Sequence, residues 1–245
     1  MNLVNWLFVP LSGHAHHHLP SWMAWHGRAM VLGWGILLPL GVLIARYFKV
    51  VPRQRWPDEL DNKTWWHGHR LLQTAGVAIM TIGGLLAFGH GEDAGILARI
   101  HHGLGWSLIA SGWIQTFGGL LRGSKGGGHV RGDHYDMTAR RRVFEYIHKF
   151  VGTAAVLLAV IVIGIGLVLA DAPRWMAAML GFWWLALALL AWRWEYEGRC
   201  MDTYQAIWGP DGVHPGNRVP TIGWGVRRYS REGWNRRGRR ASHRC

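Results

Sequence analysis

Four histidines, His26, His69, His101 and His148, stand within the first two turns of successive apolar stretches. Imidazole is the commonest side-chain ligand for metals. A polar side chain at membrane depth is read by default as functional, with a partner to be named. Left without a partner there, even a neutral polar group costs ~1–3 kcal/mol. A single histidine near a helix end is ordinarily an interfacial side chain, but four at matched depth are better read as ligands. Successive spanning helices alternate in direction, so His26 and His101 fall near one surface and His69 and His148 near the other. Topology alone therefore sorts them into two pairs.

Glycines accompany each histidine. Gly105 follows His101 by four residues and Gly152 follows His148 by four, while Gly33 follows His26 by seven and Gly76 follows His69 by seven. Each lies on its histidine's own helix face, one or two turns deeper. A missing side chain there leaves a flat slot, which suits a porphyrin plane. A bare Zn²⁺ needs no slot and takes three or four ligands at one point. Glycine is also common in packed membrane helices that hold no cofactor, so the paired histidines tip the reading toward two haems, each held by two histidines. With both axial positions filled, no site remains for O₂ or substrate, and each haem is an electron carrier. Two such irons, roughly 20 Å apart given the bilayer thickness, form an electron path across it.

The elements that must position these ligands are long apolar helices. Half of the 245 residues are hydrophobic and only 17% are charged, against about 25% in soluble domains. The patterning predicts helices over 23–47, 64–88, 97–121, 143–169 and 174–194, each long enough for the ~30 Å hydrocarbon core at ~1.5 Å per residue. The fold class expected is all-α integral membrane, with five transmembrane helices: a four-helix dihaem core and one peripheral helix that lacks histidine. Residues 1–22 form an outer N-terminal segment, 23–194 the transmembrane domain, and 195–245 a basic, Gly- and Arg-rich cytoplasmic tail. That tail has no sustained periodicity and is expected to lie extended on a surface. Trp22, Trp25, Trp65, Trp66, Trp175, Trp192 and Trp194 cluster near segment ends, where an amphipathic ring prefers the interface.

The net charge of +13 does not point to nucleic acid. The basic segments 49–63, 122–142 and 195–245 share one side of a five-span topology, whereas the turn at 89–95 carries Glu92 and Asp93 and no Lys or Arg. The positive-inside bias puts the basic segments in the cytoplasm and the N-terminus outside, as for a multi-pass protein of a bacterial-type inner membrane. His14, His16, His17 and His18 could bind a divalent metal, or simply be a polar terminus. The tail would attach to anionic lipid or dock a partner subunit. Cys200 and Cys245 form no metal-spaced motif, and no Gly-x-Gly-x-x-Gly nucleotide fingerprint occurs.

The chain resembles the cytochrome b561 family, especially the five-helix form found beside DOMON domains in ferric-chelate-reductase-like proteins. The residues that carry the resemblance run in order: His26-Gly27, Met30, Trp34-Gly35, Pro39, Gly41 and Ala45-Arg46; His69-Arg70, Gln73 and Gly76; His101, Gly105, Gln115 and Arg122; then Arg142, His148 and Gly152. The resemblance implies two b-type haems, His26 with His101 and His69 with His148, with Gln73 in the binding region, and electron transfer across the membrane. Three features depart from it. Gly123 follows Arg122 where the family has Pro, Phe144-Glu145 stands where Trp-Asn is common, and no DOMON domain precedes the core. Ascorbate as donor is not carried over.

His67 and His102 adjoin proposed ligands but point about 200° and 100° away on a helix; His102 is the alternative ligand. Arg46, Arg70, Arg142 and Lys149 ring the inner end, suited to haem propionates, an anionic donor or lipid phosphate. Arg28 could serve the outer haem similarly. The function expected is relay of electrons between a cytoplasmic or quinone-level donor and an outer acceptor, with a quinone, small reductant or cytochrome as partners. The alternatives are a haem-bearing subunit of a larger redox complex and a histidine-dependent metal or proton transporter.

Overall fold

A computed structural model describes residues 2–13, 19–90, 95–122 and 138–242, with backbone alone over 237–242. The His14–His18 cluster, Glu92 and Asp93, and the glycine run at 126–128 lie outside the described residues. So does the extreme C-terminus with Cys245.

Eight α-helices occur among the described residues: α1 (Leu3–Phe8), α2 (Ser21–Tyr47), α3 (Thr64–Ala87), α4 (Gly95–Leu120), α5 (Ala139–Leu169), α6 (Arg174–Tyr196), α7 (Thr203–Trp208) and α8 (Arg231–Ser242). The five long helices match the five apolar stretches within a few residues. The largest shift is at α5, which begins four residues early. Thr138 Oγ1 accepts the Arg141 amide at 3.3 Å as a cap, and Arg141 pairs with Glu145 one turn on, so a polar first turn is helical without apolar periodicity.

Four of these helices, α2, α3, α5 and α6, are long and apolar enough to cross a membrane. The 26-residue α4 is long enough, but His101, His102 and Gln115 dilute its apolar character. Leu71, Ile82, Leu85, Leu157, Ile161, Phe182 and Leu185 are each more than half exposed. So much bare apolar surface on long helices belongs against lipid rather than water. The molecule is an all-α, multi-pass membrane protein.

The chain divides into two compact units. The first comprises Met1–Leu40, Leu72–Thr116 and Val151–Ala188. Its core is built on Trp34, Leu38, Val77, Met80, Leu108 and Ile163. Glycines let α2 and α3 meet closely in it: a Cβ on Gly33 would lie 3.0 Å from the Gly76 carbonyl, and one on Gly76 would lie 2.9 Å from Leu38. Small residues at such crossings are what helix packing in lipid favours. Within α2, Val31–Leu37 forms a π-helical stretch. Pro39 has no N–H to give the Gly35 carbonyl four residues back. Trp183 Nε1 (3.0 Å) and Trp184 Nε1 (3.2 Å) of α6 donate to that carbonyl instead. The N-terminal segment is tied to the turn between α5 and α6 by Ser12 on Asp171 and by Leu11 N on the Ala172 carbonyl.

The second unit comprises Gly41–Leu71, Phe117–Phe150 and Leu189–Cys245. Its C-terminal part differs from the extended tail expected from 195–245. Cys200, Met201, Asp202 and Gln205 are buried, α7 is capped by Asp202 accepting the Tyr204 amide at 2.9 Å, and Met201 bridges to Arg227. Arg228 donates to Asp202 (2.6 Å) and to the carbonyls of Asn217 and Val219. Trp56 and Trp234 meet edge to face at 4.9 Å. Hydrogen bonds to backbone hold this segment, and these leave no period in the sequence.

Candidate functional site

The first unit brings His26 and His101 together, with ring centres 6.1 Å apart and planes at 81°. The second brings His69 and His148 together, with ring centres 6.3 Å apart and planes at 83°. Sequence topology expects these same two pairs.

Backbone carbonyls orient three of the four rings. His26 Nδ1 lies 2.9 Å from the Gly83 carbonyl, His69 Nδ1 3.0 Å from that of Gly41, and His101 Nδ1 3.1 Å from that of Val162. A carbonyl oxygen only accepts, so each Nδ1 carries a proton, and in the neutral ring Nε2 then keeps its lone pair. This is the tautomer and outer-shell support of a metal-bound imidazole. His148 Nδ1 is buried and has no hydrogen-bond partner among the described residues.

The spacing bears on the ligand. A metal–imidazole bond is about 2 Å, and a five-membered ring with bonds of about 1.33 Å has its centre about 1.1 Å from each nitrogen. Two imidazoles bound to opposite sides of one metal ion therefore have centres about 6 Å apart. Both pairs match that figure. No group of three or more His, Cys, Asp or Glu side chains able to hold a metal occurs among the described residues, so each site offers two protein ligands rather than a tetrahedral set.

The glycines divide. A Cβ on Gly105 or Gly152 would meet nothing within 4 Å, which leaves room for a planar group one turn from His101 and from His148. Gly33 and Gly76 instead serve the α2–α3 crossing, so the slot expected from them is filled by the neighbouring helix. Gly166 has the ligand-facing part that sequence reasoning missed: a Cβ there would lie 3.0 Å from His101 Cε1. Two further neighbours also went unread, Phe144 stacked on His148 (5.0 Å, 30°) and Trp66 tilted on His69 (6.2 Å, 31°). Aromatic residues are so frequent here that spacing alone does not single these out. With two open slots, four facing imidazoles and three forced tautomers, the residues present fit two haems.

Other expected site residues have other partners. Gln73 Nε2 donates to the Leu38 carbonyl at 3.0 Å. Arg46 pairs with Glu195 through Nε at 2.7 Å, Arg70 lies over the Trp66 ring at 5.8 Å, and Arg122 approaches the same ring at 4.3 Å. Burial pushes the Arg122 guanidinium down from its ordinary pKa, and Arg141 adds to this. Lys149 donates to the Ile222 carbonyl at 2.9 Å. His67 and His102 are exposed, and His102 Nε2 accepts Trp106 Nε1 at 2.9 Å, so neither joins a pair.

No family model matches the chain, and no solved structure matches it. Curated relatives do. A cytochrome b561, DM13 and DOMON domain-containing protein of Arabidopsis thaliana is 31% identical over 157 residues, 64% of this chain and 16% of that protein. A cytochrome b561 and DOMON domain-containing protein of the same plant is 28% identical over 168 residues, 68% and 40%. Ferric-chelate reductase 1 of Mus musculus is 29% identical over 163 residues, 64% and 25%. The chain thus spans between 16% and 40% of the length of these relatives.

Proposed function

Because the chain belongs to the cytochrome b561 family, we propose that it carries electrons across the membrane as a dihaem b-type cytochrome. His26 and His101 hold one haem and His69 and His148 the other. A bound haem supplies a centre that accepts and releases one electron. The chain's own residues hold each ring by Nε2, keep Nδ1 protonated against a carbonyl, and exclude water with apolar helix faces. With two imidazoles held at each site, a haem bound there would supply one-electron transfer rather than substrate binding at the metal.

The observation that carries this reading is the pair of ring separations, 6.1 and 6.3 Å, in two separate units. The excess of Lys and Arg in 49–63, 122–142 and 195–245 supports placing those segments, and the His69/His148 haem, on the cytoplasmic side. Electrons then run between a cytoplasmic or quinone-level donor and an outer acceptor. The ferric-chelate reductase name of one relative makes a ferric complex the first acceptor to try.

A pyridine haemochrome assay on the purified protein tests the proposal, with two haems per chain expected. His148→Ala and His101→Ala should each leave one. Unchanged haem content in all four single histidine variants would overturn it, and a colourless protein would favour metal or proton transport.

A further inference from the structure

The four imidazoles are not held alike. His26, His69 and His101 each give Nδ1–H to a carbonyl, whereas His148 does so with no described residue. The turn of α5 that carries His148 is itself held. Phe144 stacks on the ring, and the next residue, Glu145, is buried.

Glu145 is the centre of a four-member cluster. Its Oε1 accepts Arg141 Nε (3.1 Å) and Nη2 (3.0 Å) and also the Tyr204 hydroxyl, and its Oε2 lies 3.2 Å from Lys149 Nζ. Lys149 also donates to the Ile222 carbonyl at 2.9 Å. Tyr204 and Ile222 both belong to the folded C-terminal segment. That segment therefore grips α5 three residues before His148 and one residue after it. A carboxylate is taken out of water only when it is paired and hydrogen-bonded, so the tyrosine and the two cations are conditions for Glu145 being where it is.

We infer that the C-terminal segment is a positioning element for His148, acting through Tyr204 on Glu145 and through Ile222 on Lys149, and that the Glu145 carboxylate tunes the haem held by His148 and not the other. The inference rests on the dihaem reading above. Two variants separate electrostatics from mere architecture because they push in opposite directions. Glu145→Gln removes a negative charge, which favours the reduced, less positive iron and raises that haem's midpoint potential. Tyr204→Phe removes a hydrogen bond that disperses the carboxylate's charge, which lowers it.

The experiment is a redox titration of the full-length protein in detergent, with low-spin EPR of each oxidised sample. Wild type should give two haems and two resolvable potentials; a single haem or none would sink the dihaem reading itself. In each variant one potential and one EPR signal should move while the other stays at its wild-type position. Repeating Tyr204→Phe with His101→Ala, where only the His69/His148 haem is left, should show the remaining signal displaced downward. Should Glu145→Gln fail to fold, Tyr204→Phe decides alone. Two unmoved potentials in folded Tyr204→Phe protein, or both moving together, would overturn the inference.

Discussion

A neutral imidazole has two nitrogens with opposite roles, and at three of the four histidines the backbone decides which is which. The acceptor that does this, a carbonyl of Gly41, Gly83 or Val162, belongs to no side chain and leaves no residue signature. The histidines could be read from the sequence by their depth and pairing, but their supports could not. The slot glycines show the same limit. Gly33 and Gly105 both lie on their histidine's own helix face, yet a Cβ on one would press on a helix crossing and a Cβ on the other would meet nothing within 4 Å. Gly152→Leu should therefore halve the haem content while leaving far-UV circular dichroism unchanged. Gly76→Leu should instead destabilise the fold, by about 1–3 kcal/mol for overpacking, read as a lowered midpoint of thermal unfolding. Equal effects from the two variants would remove the distinction.

At the scale of elements, helix existence followed from apolar length, and helix interruptions did not. α2 continues past Pro39: the π stretch Val31–Leu37 lies just before it, and two tryptophans of α6 donate to the Gly35 carbonyl that Pro39 cannot serve. Trp183→Phe or Trp184→Phe alone should cost little, about 0.5–1 kcal/mol, since the other indole still donates. The double variant leaves a buried acceptor unmet and should cost about 1–3 kcal/mol, more than the sum of the singles. Thermal unfolding of the three proteins checks this.

The C-terminal element was the least legible, since it reads as a run of glycine and arginine and folds through bonds to backbone. Its junction with α2 contains Lys49, buried with Nζ 2.8 Å from the Met201 carbonyl. Burial, with the neighbouring Lys149 charge, brings its pKa down to about 8, against opposing pulls from Cys200, Asp202 and Glu145. The folded state then binds fewer protons than the unfolded chain between about pH 8 and the ordinary lysine value. In that window stability rises with pH, by at most roughly 3 kcal/mol over its whole width. Burial pushes the Cys200 thiol up, which has the opposite sign but acts only above its ordinary range. Between pH 8 and 9 the unfolding temperature should climb in the wild type relative to Lys49→Met. A parallel pair of curves would count against the assignment.

On the scale of the whole molecule, the class of fold was visible in composition alone, because little else explains so apolar a chain with so few charges. The side of the membrane on which each end lies rests on charge asymmetry. A reporter that fluoresces only in the cytoplasm, fused after Cys245, should light, and one fused ahead of Met1 should stay dark. The reverse pattern would turn the electron path around.

Three helices each give a histidine to one unit and a supporting carbonyl to the other. α2 supplies His26 to the first and the Gly41 carbonyl to the second; α3 supplies His69 to the second and the Gly83 carbonyl to the first; α5 supplies His148 to the second and the Val162 carbonyl to the first. Each such helix is a ruler marked at two points. Inserting or deleting one residue between the marks swings one of them about 100° around the axis, so no such change can be confined to a single unit. Related chains should accept substitutions between residues 26 and 41, 69 and 83, and 148 and 162, while keeping the three intervals at constant length.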